Sequence, residues 1–590
     1  MPKSTTSSTS YGAAAYRELR RVVHEIKGDD PLRQVTLVVP SERVGVAARR
    51  ALARGGEGRP PGIAALSVLT LRRVAEILGA DRLLAVGRRP LTGPALASAV
   101  REVLREEAGR FEPVADHIGT VRALAEAHRT LRLVDDDTVD RLAEPSEPIV
   151  EDTVRVHRAV QRRLLATTYD EAALLREAAS SGSREDFGPL VLFLPQDLDA
   201  PELDLVRALA DGHDLHLILG LTGNARADAG PRRCAERIGA AAPDISSCEA
   251  TATTVLHASD PDDEVRAVVR RVVTALRVRP GHRIAVLHGS TDPYARLLHE
   301  HLRKADIAFF GRGVRPAVES AYGATALRLL VLSESGFRRR EVLAMVAGGP
   351  VHAEGRPAPS SSWERVSRDA GVVAGDDWER LFGFAEQQRK EAAAERAESE
   401  PREWLAARRE RNASAADTLH EFVGRLRGAV EAFDVAETWG ELATLARQLF
   451  ADVLVPDEGL HPEDSSAARK IASTLDAAGG MSGRPSRRAL RELLELELDA
   501  VLDRVGTIGV GVHVGPVAEG VGDDVDELFL VGAAEGLLPA RSADNPLIPD
   551  RVRERTDGIL PTTAERSARQ HRHVLAALAA APPDGRTVSF

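Results

Sequence analysis

Cysteine is almost missing: Cys234 and Cys248 are the only two in 590 residues. A disulfide framework and a four-cysteine metal site are therefore excluded within the chain. No run approaches 18 consecutive apolar residues, so no membrane-spanning helix is expected. The opening MPKSTTSSTSYG lacks the apolar core of a signal peptide, and the expected location is cytoplasmic. Positive charge is in deficit, with a net charge of −11 and a pI near 5.9. A small domain that coats nucleic acid is usually basic. In a large protein, however, the positive charge can be confined to a channel, which a sum does not display. Lysine is scarce beside arginine. Ala, Arg and Gly are abundant, as in proteins of GC-rich genomes, so the arginine excess says little about function.

What is present fits a soluble globular protein: 43% hydrophobic and 28% charged residues. The length predicts several domains. Apolar spacing predicts a helix over Tyr11–Ile26 and a buried strand over Gln34–Pro40. Ser41 is placed to cap the next helix, and Thr70 opens another after a strand at Ala65–Leu69. A Gly/Pro loop joins them across residues 55–62. Residues 86–180 read as helical. LVLFL at Leu190–Leu194 and HLILGL at His216–Leu221 read as strands, the second followed by Thr222-Gly223 and Asp228. Strands at Thr251–Ala258, His282–His288 and Ile307–Phe310 alternate with helices at Asp260–Leu276 and Tyr294–Lys304. A mainly helical stretch follows. The β-branched, Gly-rich Gly506–Gly515 and the run Leu528–Val531 then read as strands buried on both faces, as in a parallel sheet. Thr562–Ala580 reads as a helix, and Thr587–Phe590 as the start of a strand. The pattern is α/β.

Three clusters invite a chemical reading and receive a structural one. The triplet Asp135-Asp136-Asp137 suits a helix N-terminus. His299-Glu300-His301 places its histidines about 200° apart on a helix, so they cannot converge on zinc. Trp363, Trp378, Trp404 and Trp439 all fall in the second helical stretch, where core packing is expected over stacking on bases.

The turn after Leu528–Val531 reads Gly532, Glu535, Gly536, Pro539, a "G-x-x-E-G-x-x-P" pattern. With the phrase "DE-V…IAVL…Y-x-x-L-x-x-x-L…I-x-F" across residues 263–309, it resembles the second motor domain of UvrD-like helicases. Tyr169-Asp170-Glu171-Ala172 leading into Leu174-Leu175 resembles a helix of helicase–nuclease B subunits. The chain is similar to the helicase-like part of AddB-like, UvrD-related helicase–nuclease subunits of the actinobacterial type. That resemblance implies two RecA-like parallel-sheet motor domains, each with an inserted helical domain. The first spans 1–85 with 185–250, interrupted by 86–184, and the second spans 251–336 with 504–590, interrupted by 337–503.

The resemblance also exposes gaps. A phosphate loop, G-x-x-x-x-G-K-[ST], uses glycines so that backbone N–H groups can surround phosphates, a Lys for the terminal phosphates and a hydroxyl for magnesium. In the matching region, Ser4–Glu18, Gly12 is the only glycine and no Lys-Ser/Thr pair follows it. The strand that would end in Asp-Glu is followed by Pro195-Gln196-Asp197. Gly289 stands where active relatives carry a nucleotide-contacting arginine. Glu519-Gly520-Val521-Gly522 replaces a "K-G-L-E" loop, and an alanine near Ala580 replaces a nucleotide-sensing arginine. No ATP, magnesium or other cofactor site is expected in this chain. An iron–sulfur cluster and a nuclease metal would belong to a PD-(D/E)xK nuclease that relatives carry further on.

The expected function is a non-catalytic DNA-binding and scaffolding subunit in double-strand-break repair, paired with an active helicase–nuclease subunit. Its DNA would be single strands or duplex ends, and no membrane is expected as a partner. By motif position Ser41 and Thr70 are the DNA-contact candidates. Two alternatives stay open: part of an ATP-dependent exonuclease subunit whose nuclease lies beyond Phe590, or a helicase-fold protein–protein adaptor without DNA binding.

Overall fold

The computed structural model describes the chain except residues 1–3, 55–60, 144–146, 182–186, 246–248, 354, 482–483 and 501–503. Cys248, most of the Gly/Pro loop and the end of the second helical stretch lie outside the described residues. The fold is α/β with mostly parallel sheets.

The first sheet has the order Ser4–Ser10, Leu215–Leu221, Leu190–Phe193, Val35–Val39, Leu66–Thr70, with every neighbouring pair parallel. Val35–Val39 and Leu190–Phe193 are buried along their whole length, as central strands covered on both faces must be. Helices Ala13–Lys27 and Glu42–Ala53 cover one face. Leu71–Ala85, Glu171–Ser180 and Ala200–Gly212 cover the other. From Val35–Val39 the chain steps outward to Leu66–Thr70. From Leu190–Phe193 it steps outward the opposite way, to Leu215–Leu221. The reversal leaves a crevice at the carboxyl ends of the two central strands, where open α/β sheets bind ligands.

The second sheet runs Arg504–Val505, Phe309–Arg312, Val512–Pro516, Ile284–His288, Glu527–Val531, Arg586–Ser589, Thr254–Leu256. Only its first pair is antiparallel. Helices Pro261–Ala275 and Tyr294–Lys304 pack on one face, and Thr563–Ala579 on the other. Helices from Gly93 to Ser180 interrupt the first sheet, and helices from Ala321 to Ala500 interrupt the second. The two helical bodies touch through Arg101–Glu492 at 3.0 Å and Arg122–Asp499 at 2.7 Å, with Leu496 buried among apolar residues of the first. Among the described residues no helix is long and apolar enough to cross a membrane.

One strand goes unforeseen in the sequence, and one expectation is corrected. Ser4–Ser10 is a strand, which its polar sequence STTSSTS concealed; it is an edge strand, ordered by parallel pairing with Leu215–Leu221. The segment Gly506–Gly515 is not one strand. Gly506, Gly509 and Gly511 all adopt positive φ, and pairing resumes only at Val512. A Cβ on Gly511 would stand 2.2 Å from the Ala308 carbonyl oxygen, so the glycines serve a turn packed hard on its neighbour.

Candidate functional site

The crevice of the first sheet is built by local chain chemistry. Pro40 ends the central strand, and Ser41 caps the helix Glu42–Ala53, its Oγ accepting from Val44 N at 3.3 Å. Thr70 is the last residue of the adjacent strand, opposite Val39. It caps Leu71–Ala85 by accepting from Arg73 N at 3.3 Å. Two helix N-termini therefore open side by side at the carboxyl edge of the sheet. Pro195-Gln196-Asp197, shortly after the other central strand, forms the next wall.

The second half supplies the opposite wall. Arg312 and Arg504 are direct register partners on its antiparallel edge pair, and both line the shared cavity, about 530 Å³, with Ser41 and Thr70. Like charges directly opposite on paired strands repel. Arg312 is compensated by Glu519 at 2.5 Å, whereas Arg504 is exposed and, among the described residues, is bonded to no acid. Arg43, Arg72 and His573 add positive or titratable groups to the lining, against Asp197, Glu171, Glu202 and Glu519.

Beneath the cavity the halves are joined by buried charge. Arg43 pairs with Asp523 and donates to the carbonyl oxygens of Glu519 and Val521. Burial pushes its guanidinium down to about 10. His513 lies between Asp523 at 2.9 Å and Glu519 at 3.4 Å and stacks on Phe310. Burial pushes its imidazole down to about 4. Burial raises Glu519, but the bonds from His513 and Arg312 outweigh it, leaving the carboxyl well below the usual range. Tyr16 donates to Gly522 O at 2.5 Å, so the Glu519–Gly522 loop is docked on the first half. A second join sits at Asp197, which receives Arg569 at 2.6 Å and the fully buried Arg572. Burial raises the Asp197 carboxyl, and Arg572 more than reverses it.

At the turn after Ser4–Ser10, Tyr11 is buried and donates to Gly220 O at 3.1 Å. Gly12 has φ 72°, and a Cβ there would lie 2.2 Å from the Ala579 carbonyl oxygen. The last turn of Thr563–Ala579 thus rests on the strand-to-helix junction. The cavity beside it, about 520 Å³, is lined by Arg17 and Arg283 but also by Glu249, Asp524 and Asp526. Arg283 is already held by Asp524 at 2.7 Å and Asp526 at 2.6 Å. A Cβ on Gly289 would stand 2.8 Å from Leu538 Cβ, so a long side chain there would have to displace the turn.

The remaining motif residues are structural. Asp228 closes the Thr222-Gly223 turn, accepting from both backbone N–H groups and the Thr222 hydroxyl at 2.8–2.9 Å. Asp135 caps the helix Asp136–Leu142. His299 lies against Phe309 while His301 bonds Asp262 at 2.6 Å. Among the described residues no group of three or more His, Cys, Asp or Glu side chains is placed to hold a metal ion.

Ser41 and Thr70 are brought together, each as a helix cap. The arginines opposite them escaped sequence reasoning, because Arg312 and Arg504 lie 192 positions apart and carry no motif. Comparison with models of known protein families finds none that matches the chain, and comparison with curated proteins finds no match either.

Proposed function

We propose that this chain is a helicase-fold DNA-binding and scaffolding subunit that does not itself turn over ATP, and that works in DNA break repair beside an active helicase–nuclease partner. In this reading each sheet, with its covering helices, is a RecA-like motor domain. The two helical bodies are the insertions, and the cavity between the sheets holds a nucleic-acid strand.

The observation that carries the reading is the opposed pair Arg312 and Arg504 facing the helix N-termini at Ser41 and Thr70. Each cap spends its hydroxyl on one first-turn N–H and leaves others without an intrahelical acceptor. Helix N-termini and an uncompensated guanidinium both favour phosphate. The filled turn at Gly12, the acids beside it and the lack of room at Gly289 support the absence of nucleotide turnover.

The test is binding of a single-stranded oligonucleotide and a duplex end across a salt series, with Arg504→Gln and Arg72→Gln beside the wild type. The expected result is salt-sensitive binding. Each removed phosphate contact should lower the slope of log affinity against log salt by about 0.7 on single strands. Binding that is absent, or unchanged between low and high salt, would favour an adaptor without DNA binding, the alternative to which the acidic net charge points.

A further inference from the structure

Helices Arg380–Arg396 and Glu403–Ala432 form an antiparallel hairpin in the second helical body, cross-linked by Arg396–Glu410 at 2.5 Å and His420–Glu379 at 3.0 Å. Small residues line its seam: Ala385, Ala392, Ala406 and Ala413 are all buried. Its turn is set by Glu395, whose carboxylate takes the Arg402 guanidinium at 2.7 and 3.0 Å. Trp404 follows in the first turn of the long helix, where it is 63% exposed. The other three tryptophans are exposed by 5% or less, so Trp404 is the one that core packing does not explain.

Arg408 and Arg411 follow Trp404 by four and seven residues, which places all three on one helical face. Both arginines are exposed, and among the described residues neither is bonded to an acid. The nearest acids on the same helix, Glu403 and Glu410, are both taken by Arg396. Further along, this face turns inward at Phe422, which packs on Trp363 at 4.9 Å. The open stripe therefore spans about 10 Å of helix.

An exposed indole beside two unpaired guanidiniums suits a flexible single strand, which offers flat bases for stacking and phosphates at short intervals. An acidic protein segment would answer the arginines but leave the indole without a flat partner. We infer that this stripe is a second contact for single-stranded nucleic acid, with Trp404 stacking on a base while Arg408 and Arg411 each meet a phosphate. The inference rests on the single-strand reading of the cavity and extends it to a separate element.

The experiment titrates the full chain with an oligothymidylate while following tryptophan fluorescence and affinity. The wild-type emission should fall on binding, and Trp404→Phe should abolish that fall. Trp404→Ala should weaken affinity about tenfold. Arg408→Gln with Arg411→Gln should lower the salt slope by about 1.4. If the oligonucleotide binds these variants with unchanged affinity, salt slope and emission change, the stripe is overturned and the cavity reading stands. If Arg504→Gln leaves binding intact while the Trp404 variants lose it, the stripe stands and the cavity reading fails. Failure of the wild type to bind overturns both, and polyglutamate altering the Trp404 emission where the oligonucleotide does not would replace the nucleic acid with an acidic protein partner.

Discussion

Glu264 shows how a single buried carboxylate ties distant parts of the chain together. It is 2% exposed and accepts from Gly532 N at 2.8 Å, from the Ser589 hydroxyl at 2.6 Å and from the Tyr294 hydroxyl at 2.7 Å. Those donors come from the "G-x-x-E-G-x-x-P" turn, the last strand and the helix Tyr294–Lys304. Burial raises the Tyr294 phenol above its ordinary range, and the bond to Glu264 adds to the rise, so the phenol remains a donor. Removing the acceptor leaves the buried Gly532 N–H and Tyr294 hydroxyl unmet and the Ser589 hydroxyl with only a long bond to Leu530 O at 3.4 Å, and Glu264→Ala should cost about 3 kcal/mol. The check is a urea titration: the midpoint should fall clearly, and an unchanged midpoint would show that the carboxylate ties nothing. The same reasoning governs Arg43, whose pairing with Asp523 is matched by two carbonyl acceptors and joins residues 480 apart.

At the scale of elements, what could be read from sequence and what could not divide along one physical line. Strands buried on both faces announce themselves as apolar runs, so Val35–Val39, Leu190–Phe193 and Ile284–His288 fall within the segments expected of them. Amphipathic helices were largely legible: of the five valines expected on the apolar face of Pro261–Ala275, Val265, Val268, Val269 and Val272 are buried, while Val273 is exposed. Ser4–Ser10 was not legible, because nothing in its side chains alternates in hydrophobicity; its strand form comes from Leu215–Leu221 beside it. Gly506–Gly515 misled for the opposite reason. Its valines suggest a strand, while its glycines mark positive-φ turns. For the candidate site, Ser41 and Thr70 could be read as caps from residue type and position. The guanidiniums opposite them could not, because their meeting depends on an antiparallel edge pair that closes only after the whole second helical body. Trp404 was grouped with three core tryptophans, since its place in sequence does not reveal that its face is exposed.

At the scale of the whole molecule, buried histidines set a pH limit. Burial pushes His128, His288, His299 and His513 down to about 4, and His157 to about 2. His128 and His157 lie against each other, ring centroids 4.7 Å apart and planes tilted by 41°, so protonating one opposes protonating the other. These groups titrate near 6.5 when unfolded. The folded values are lower, so the unfolded chain binds more protons between about pH 6.5 and 4. The stability that neutral burial provides is complete above that window and is lost as pH falls through it. Each histidine held at about 4 should cost about 2 kcal/mol by pH 5. Urea midpoints should therefore be flat above pH 7 and drop steeply between pH 6 and 5. A midpoint that held constant down to pH 5 would contradict the burial of these rings.

The two sheets meet over a cavity that offers helix N-termini on one side and, on the other, an arginine that pairs with no acid among the described residues, while the turn at Gly12 is packed against Ala579. The proposal of a binding subunit without an engine of its own rests on that combination. The most direct measurement is ATP hydrolysis by the purified chain, with and without single-stranded DNA, beside a nucleotide-binding titration in the same samples. DNA binding with neither nucleotide binding nor turnover is the predicted result. DNA-stimulated turnover would contradict it, and would mean that Ser4–Glu18 opens away from Ala579 to admit a nucleotide.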